Sequence, residues 1–353
     1  MTPSAETGYN APNAQRPTPA SLSVIVLTYN ASWERVRATL NSIILQKDIN
    51  FELIVADDCS KDNYFDKIRD FFSRHSFTNY TLISRSENFG ILKNLLEAAK
   101  VAQGDYIRGI GQGDMFFDEY ALRDSYNDAV KNNSDVQVSK AVCYKAFSNP
   151  VKIIECTRSP QNVEAYKFPD MLRETYLING DIAYGCMMLY KREILIKYFT
   201  EGLTRGVKLL EDHLIRMMVF DKRKISYFNK NIIFYEIHAG ISSTNLIIFN
   251  VTSWAIHKIT SNDSIILENM LLERCDSEKS DFSEKLKTAT YERIERIKRY
   301  KSRQVLKKKL GIFAIPLVII KRTLLFIRNS LNKKIMTDIK VSTDFANLCI
   351  NRE

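Results

Sequence analysis

The chain has 353 residues, 45% of them hydrophobic, and a formal net charge of +10. This length exceeds one average domain, and the apolar fraction supports a substantial buried core, which excludes an intrinsically disordered chain. Six cysteines are scattered without a CxxC pair or a metal-knuckle spacing, so the sequence predicts free thiols in a reducing compartment rather than a zinc or redox site.

The N-terminal segment and the apolar runs indicate neither a signal nor a spanning helix. The first 20 residues contain four prolines among Ser, Thr and Asn and no apolar stretch suited to a secretory signal, which predicts a flexible tail at residues 1–20. A spanning helix needs about 18 consecutive apolar residues. The closest run, residues 310–320, contains Pro316 and is cut off by Lys321 and Arg322, so we expect no such helix.

Strand and helix patterns alternate through the first third of the chain. They are a strand at 23–27, a helix at 33–44 capped by Ser32, a strand at 51–56, a helix at 65–72, a strand at 80–84, a helix at 92–99 and a strand at 105–110. Parallel neighbours need a crossover of about a dozen residues, which these helices supply. The sequence therefore predicts an α/β fold with a mostly parallel central sheet flanked by helices.

Polar side chains follow the first two strands where each ends. Tyr29 comes just after the first strand, and Asp57 and Asp58 follow the second. This edge is the usual ligand site of open α/β folds. A nucleoside offers donors on uracil N3 and on its ribose, which carboxylates accept while an aromatic ring stacks on the base. We expect a nucleotide-sugar site here, with Asp58 on uracil and Asp57 and Tyr29 nearby. The alternative is that these acids cap the next helix, the role that we assign to Asp62.

The second third of the chain has weaker patterns. A β-like piece at 136–142 and a polar stretch at 159–170 suggest structure that binds an acceptor. Beyond them the sequence predicts helices at 191–199 and 211–220, short strands at 224–228 and 232–237, and mainly helical structure after about residue 245.

The positive charge is concentrated near the C-terminus. Sixteen Lys and Arg stand against two Glu between Lys285 and Lys334, an excess larger than the net charge of the whole chain. Aromatic and aliphatic residues interleave with these charges, as in an interfacial segment on anionic lipid. The alternative is a solvated helix packed on the catalytic core. Nucleic acid is not an expected partner, because the aromatic pattern matches no known reader of nucleic acid.

Five motifs in this order resemble family 2 glycosyltransferases of GT-A fold. They are SVIVLTYN at 23–30, FELIVADDCS at 51–60, NFG at 88–90, EDHLIR at 211–216 and YEIHAGIS at 235–242. The resemblance covers about residues 22–244. It implies a tail at 1–20, a GT-A domain at 21–245 with a nucleotide-sugar half (21–114) and an acceptor half (115–245), and a basic helical region at 246–353.

The resemblance also implies a divalent cation, Mn²⁺ or Mg²⁺, on the donor diphosphate. Family members usually place Asp-X-Asp after the turn that reads Gly104-Asp105-Tyr106-Ile107 here. In this chain Gly111 and Gly113 occupy two positions where the family often has an acid, and only Asp114 remains. We expect Asp114 and His238 as the metal ligands, Asp118 as a spare carboxylate, and Gly113 to let the backbone approach the sugar or phosphates.

The glycines at 109, 111 and 113 do not have the spacing of a dinucleotide-binding loop, and no P-loop motif occurs, so a Rossmann dehydrogenase and a P-loop hydrolase are excluded.

Glycosyl transfer with inversion needs one base for the acceptor hydroxyl. The resemblance assigns this base to Asp212, with Glu211 orienting the acceptor or the helix start. The alternatives are that both acids only favour a helix N-terminus, or that Asp181 supplies the acid.

Together these features predict an inverting, metal-assisted glycosyltransferase that uses a nucleotide sugar, most simply a UDP-sugar. Its acceptor would be a glycan or lipid-linked molecule of surface polysaccharide biosynthesis, at the inner face of the cytoplasmic membrane. Two alternatives stay open at this point. One is a non-catalytic scaffold that binds nucleotide sugars or glycans, and the other is a nucleotidylyltransferase-like enzyme, although the Thr28-Tyr29-Asn30 turn lacks a basic triphosphate signature.

Overall fold

The computed structural model describes residues 5–7, 21–145, 151–158, 160–237, 251–278, 280–310 and 342–352. Ten strands in this part of the chain form one sheet. They are β1 (Ala5–Thr7), β2 (Leu22–Thr28), β3 (Phe51–Asp57), β4 (Tyr80–Ser84), β5 (Tyr106–Gly111), β6 (Met115–Phe116), β7 (Val136–Lys145), β8 (Lys152–Arg158), β9 (Met188–Lys191) and β10 (Ile225–Glu236). The strand order is β1-β4-β3-β2-β5-β9-β7-β10-β6, and β8 pairs with β7 outside this path.

Helices cover the sheet and extend the chain beyond it. They are α1 (Trp33–Ile44), α2 (Phe65–Arg74), α3 (Gly90–Val101), α4 (Ala121–Lys131), α5 (Pro169–Arg173), α6 (Arg192–Arg205), α7 (Ile215–Phe220), α8 (Val251–Ser277), α9 (Asp281–Leu310) and α10 (Asp344–Asn351). Short 3₁₀ or π turns lie at Val163–Lys167, Glu174–Ile178, Gly185–Met187 and Glu211–Leu214. The mostly parallel α/β architecture predicted from the sequence is confirmed.

The nucleotide-sugar half of the sheet has the parallel strands that the alternating strand and helix patterns of the sequence predict. Strands β4, β3, β2 and β5 are parallel neighbours, and every residue of β3 is buried, as expected for a strand covered on both faces. The chain moves from β2 outward to β4 and returns through α3 to β5 on the other side of β2. This reversal makes a switch point beside the carboxyl ends of β2 and β5, where open α/β sheets bind their ligands.

The other half departs from a simple parallel repeat. Strand β9 lies antiparallel between β5 and β7, while β7 and β10 are parallel and β6 closes the edge antiparallel to β10. The sequence analysis missed β6, β8, β9 and α4. The two short strands predicted at 224–228 and 232–237 are one strand, β10, with register shifts between Tyr227 and Ile233.

Three local expectations need correction. Ala5–Thr7 lies within the predicted flexible tail, but it pairs antiparallel with β4. Ser32 does occupy the N-cap position of α1, yet its hydroxyl makes no capping hydrogen bond to the helix backbone. The helix predicted at 211–220 begins as a 3₁₀ turn, Glu211–Leu214, and becomes α-helical only at Ile215.

The C-terminal helices pack on the acceptor half. Glu268 of α8 is buried and binds Arg216 of α7 at 2.7 Å, and its second oxygen binds Arg293 of α9 at 2.9 Å. Apolar residues of α8, among them Leu267 and Leu271, join the main core. These contacts agree with the alternative to lipid contact, in which the C-terminal helices pack on the catalytic core. This applies to the residues of α8 and α9 whose side chains are described. No helix within the described ranges is long and apolar enough to cross a bilayer.

Replacing Glu268 by Ala is expected to lower the free energy of unfolding by about 3–5 kcal/mol, because two buried guanidinium groups lose their shared counter-ion. The matched control is Glu273→Ala, which breaks the exposed pair with Arg205 and should cost less than about 1 kcal/mol. Urea unfolding curves measure both. Equal losses for the two variants would contradict a buried ionic clamp.

Helix α10 packs against α1. The Asn41 side chain donates to the carbonyls of Cys349 and Arg352 at 2.8 and 2.9 Å. The five cysteines whose side chains are described are free thiols, as predicted; they are Cys59, Cys143, Cys186, Cys275 and Cys349.

Candidate functional site

The ends of three parallel strands meet at the switch point. The Thr28 hydroxyl donates to Asp57 Oδ1 at 2.9 Å, which joins the ends of β2 and β3. The side chain of Gln112, after β5, accepts the Tyr29 N–H and donates to the Tyr29 carbonyl at 2.6 and 2.8 Å. The structure therefore brings together the predicted donor-site segments at Tyr29, Asp57 and residues 111–114.

Asp57 is used to shape the loop that follows β3. Besides Thr28, its carboxylate accepts the backbone N–H of Ser60 at 2.9 Å and the Ser60 hydroxyl at 2.6 Å. The residue is 1% exposed. A direct contact with the nucleoside stays a prediction, and the observed bonds indicate that Asp57 positions the loop that carries Asp58.

Asp58 holds the start of α3. Its Oδ1 accepts the Phe89 N–H at 2.7 Å and its Oδ2 accepts the Gly90 N–H at 2.8 Å. Burial raises the pKa of Asp58, while these two N–H groups and Arg85 oppose that rise. A carboxylate has about four acceptor sites, so both oxygens keep capacity for a nucleobase donor. Asp58 therefore binds the start of α3 and does not cap α2, the next helix along the chain, and the uracil contact stays a prediction.

The other acids of the sequence analysis serve local structure. Asp62 accepts the Tyr64 N–H at 2.9 Å in the turn before α2, but Tyr64 is the N-cap residue and has no side-chain capping bond, so the capping role assigned to Asp62 is not observed. Asp118 accepts the Tyr120 N–H at 2.9 Å before α4. Asp181 accepts the N–H groups of Gln161 and Ile182 at 3.0 and 2.9 Å and is 5% exposed. These bonds make Asp181 a loop anchor and weaken it as an alternative base.

Asp114 is buried beside β10. Its Oδ1 accepts the backbone N–H of Glu236 at 2.9 Å. Burial raises the pKa of Asp114 to about 8; the Glu236 N–H opposes the rise, and the Glu236 charge adds to it. His238, the second predicted ligand, lies outside the described residues, so its position stays a prediction.

Glu236 is a site residue that the sequence analysis missed. Its Oε1 binds Arg35 of α1 at 2.9 Å, whereas Oε2 is buried and has no hydrogen-bond partner among the described residues. Burial raises the pKa of Glu236, and Arg35 opposes the rise. The available signal was its place in YEIHAGIS, two residues before His238.

The donor set around Asp114 fits a divalent cation in part. No group of three or more His, Cys, Asp or Glu side chains is assembled in the described ranges. Mg²⁺ is commonly held by one or two carboxylates together with water and phosphate oxygens, which Asp114 and the open oxygen of Glu236 match. These two carboxylates are the described groups that would hold the ion.

Glu211 and Asp212 form a carboxylate pair at the start of their 3₁₀ turn. The pair lies against Gly185, since a Cβ there would be 3.3 Å from Glu211 Oε1 and 3.8 Å from the Asp212 Cβ. Glu211 Oε2 is buried without a hydrogen-bond partner among the described residues, while the Asp212 side chain keeps 18% of its surface exposed. The access of Asp212 to an acceptor hydroxyl stays a prediction.

Both pKa values of this pair are raised. Burial and the charge of Asp212 hold the pKa of Glu211 well above its ordinary value. Burial also raises the pKa of Asp212, and the nearby His213 opposes that rise. Two adjacent carboxylates titrate as a coupled pair, so the first ionisation makes the second less favourable.

Asp263 of α8, which the sequence analysis also missed, holds the loop before this pair. Its Oδ2 accepts three consecutive backbone N–H groups, those of Lys208, Leu209 and Leu210, at 3.0, 2.7 and 3.2 Å. Asp263 is 1% exposed. It is a positioning residue for Glu211 and Asp212, and no short-range pattern links it to them.

Asp263→Asn is expected to lower kcat about tenfold or more with little change in KM for the donor, since small displacements of a catalytic group carry large rate costs. Asp276→Asn, farther along α8 and mostly exposed, is the control. Steady-state kinetics at saturating donor measures the difference. If kcat stayed within twofold of wild type, the positioning role would be wrong.

The family model of glycosyl transferase family 2 matches residues 23–199, half of the chain. The chain belongs to glycosyltransferase family 2. One curated relative, an uncharacterized glycosyltransferase of Haemophilus influenzae, is 27% identical over 54% of this chain and 59% of its own length. Another, the poly(ribitol-phosphate) beta-N-acetylglucosaminyltransferase TarP of Staphylococcus aureus, is 32% identical over 38% of this chain and 41% of its own. The chain thus matches less than two thirds of either relative.

Solved structures share the fold of this family 2 chain. The TarS 1–349 fragment of S. aureus in complex with UDP has a TM-score of 0.52 and 18% identity, covering 85% of this chain and 78% of its own. The mannosyltransferase PcManGT of Pyrobaculum calidifontis, in complex with GDP-Man and Mn²⁺, has a TM-score of 0.50 and 14% identity, covering 95% and 86%. At these identities the likeness supports the GT-A fold alone.

Proposed function

We propose that this chain is an inverting glycosyltransferase that moves a sugar from a UDP-linked donor to a glycan or lipid-linked acceptor. The observation that carries the proposal is the short link between the donor acid and the acidic pair. Gly90 donates its N–H to Asp58, and a Cβ on Gly90 would lie 3.4 Å from the carbonyl of Lys208, three residues before Glu211. The loop before Glu211 therefore lies against the start of α3 that Asp58 binds, and we infer that the two acidic sites flank one crevice.

In this mechanism Asp58 binds uracil and Tyr29 stacks on it, so the sugar is directed from the switch point toward the acidic pair. Asp212 accepts the proton of the acceptor hydroxyl while that oxygen attacks the anomeric carbon from the face opposite the nucleotide. Glu211, whose pKa is held well above its ordinary value by burial and by the charge of Asp212, stays protonated while Asp212 ionises. A divalent cation held by Asp114 and its neighbours would stabilise the charge on the departing diphosphate.

The proposed class of acceptor is supported by the name of one relative and by the exposed residues of α9. TarP is named for transfer onto poly(ribitol phosphate), which supports a cell-surface polymer as the acceptor here. On α9, Tyr291 and Tyr300 are 58% and 42% exposed, and Arg296, Lys298 and Arg299 are exposed near them. These exposed aromatic and basic side chains of α9 support contact with anionic lipid at the inner face of the cytoplasmic membrane.

The proposal is tested with a thermal-shift panel of nucleotide sugars, with and without Mn²⁺, followed by a transfer assay. A ligand of the native state raises apparent stability as RT ln(1 + [L]/Kd). We expect a UDP-sugar to raise Tm and to be turned over.

Glycines at positions 111 and 113 stand where the motif is expected to have acids, which favours a second candidate, a non-catalytic nucleotide-sugar scaffold. Binding of UDP without hydrolysis or transfer, at any divalent ion, would support that candidate instead.

The pH dependence of transfer gives a signed prediction. The base acts only when ionised, so the raised pKa of Asp212 places the acidic limb of kcat/KM above the ordinary carboxylate range, with activity rising as pH rises. Glu211→Gln removes a carboxyl that ionises only after Asp212, so this limb is expected to stay in place. A limb that moves to lower pH would contradict this order of ionisation.

A further inference from the structure

The turn between β5 and β6 lacks a side chain where related transferases often carry a carboxylate. Gly113 takes this position with φ of +93°, a conformation that L side chains rarely adopt. The space that its side chain would fill is already taken, since a Cβ on Gly113 would lie 1.9 Å from Glu236 Oε2. A carboxylate oxygen is thus present here, although it comes from another strand.

The sheet register delivers Glu236 to this point. Strand β6 pairs antiparallel with β10, with Phe116 opposite Ile233 and Met115 opposite Phe234. Continuing this register by two residues sets Glu236 opposite Gly113. The turn itself is fixed, because the Gly113 N–H donates to the Thr39 hydroxyl at 2.9 Å and its carbonyl accepts the Tyr144 hydroxyl.

The Glu236 side chain has one oxygen in use and one open. The residue is 2% exposed, its Oε1 binds Arg35, and its Oε2 has no partner among the described residues. Buried polar atoms are seldom left unsatisfied in native proteins, so such an atom calls for a partner such as an ion. The Arg35 side chain is 31% exposed, which places the ion pair near solvent.

Asp114 provides a second carboxylate at the same turn. Its Oδ1 accepts the backbone N–H of Glu236 at 2.9 Å, so the Asp114 carboxylate lies against the backbone of Glu236. Arg35 is within ion-pair distance of Glu236 and neutralises at most one of the two negative charges. Oxygen ligands of this kind suit Mg²⁺ and Mn²⁺.

We propose that Glu236 replaces the carboxylate missing at Gly113 and, with Asp114, forms a two-carboxylate seat for a divalent cation. The inference rests on the proposed function only in assigning the donor diphosphate as the third partner of the ion. The competing interpretation is that Glu236 forms a structural ion pair with Arg35 and binds no metal. The two interpretations differ in what happens to metal affinity when either partner is changed.

The test is Mn²⁺ binding to the full chain, measured by loss of the free-ion EPR signal with and without UDP. Glu236→Gln and Asp114→Asn are each expected to weaken Mn²⁺ binding about 10- to 100-fold. Glu119→Gln, a half-exposed acid paired with Lys47, is the control and should leave binding unchanged. Thermal unfolding shows which variants are folded.

Arg35→Gln keeps both carboxylates and separates the interpretations even if Glu236→Gln does not fold. Removing the competing cation should tighten Mn²⁺ binding severalfold. Unchanged affinity in folded Glu236→Gln, or in Arg35→Gln, would overturn the seat. A wild-type chain that binds UDP but no Mn²⁺ would also overturn the two-carboxylate seat, and it would leave the proposed function intact. A chain that binds Mn²⁺ through Glu236 but no nucleotide would overturn the proposed function and leave the seat intact.

Discussion

Asp212→Asn is expected to lower kcat by about 10²- to 10⁴-fold, the usual contribution of a general base. Asparagine keeps the size of the side chain and its place against Gly185, but it cannot accept the proton of the acceptor hydroxyl. The affinity for UDP should stay close to that of wild type, because Asp212 lies on the acceptor side. Transfer from the preferred UDP-sugar, together with UDP titration calorimetry, measures both quantities.

Asp66→Asn is the matched control for Asp212→Asn. The Asp66 side chain is fully exposed on α2 and pairs with Arg69 on the same helix. Wild-type kinetics are expected for this variant. If Asp212→Asn retained transfer within a few-fold of wild type, the base would have to be another group.

Asp58→Asn is expected to weaken UDP binding about 10- to 100-fold. A hydrogen bond to a charged group is worth about 1.5–3 kcal/mol, and 1.36 kcal/mol corresponds to tenfold. The same change weakens the bonds to Phe89 and Gly90, so the ligand-free protein should also lose about 1 kcal/mol of stability. Calorimetry with UDP and urea unfolding separate the two effects.

Asp62→Asn is the control for Asp58→Asn, because Asp62 bonds the nearby Tyr64 N–H in the same loop. It should leave UDP affinity within about twofold, well below the cost of a lost charged hydrogen bond. Asp58 would be a helix cap alone if Asp58→Asn lowered stability without changing UDP affinity.

The nucleotide half was predictable because its signals are local. The apolar runs that became β2 and β3 are bounded by polar turns, and the carboxyl ends of parallel neighbours must meet at one edge. Asp57 and Asp58 were therefore placed correctly at the sheet edge. Their hydrogen-bond partners were not predictable, since the choice between Ser60 and a ligand depends on the fold of the loop.

The missed residues depend on contacts between distant parts of the chain. Asp114 and Glu236 are 122 positions apart, and only the pairing of β6 with β10 brings them together. Asp263 reaches the loop before Glu211 from a helix more than 50 positions later. Strand β9 has four residues and takes its place between β5 and β7 through tertiary pairing, which a short apolar run does not reveal.

The sequence pattern of the C-terminal region allowed two interpretations, contact with anionic lipid or packing on the catalytic core. The observed packing supports the second for the described part of the region. The Arg216–Glu268–Arg293 cluster and the apolar face of α8 attach these helices to the acceptor half. Because of the exposed tyrosines and basic residues of α9, lipid contact stays a proposal for the exposed part of this helix.

A crystal structure of the full chain with UDP is the most direct test of a donor site at the switch point. We expect uracil N3 at about 2.9 Å from a carboxylate oxygen of Asp58, the usual hydrogen-bond distance. The diphosphate should face the turn at Gly113 and Asp114, with Asp212 across the crevice. A nucleotide bound away from the carboxyl ends of β2, β3 and β5 would contradict the account.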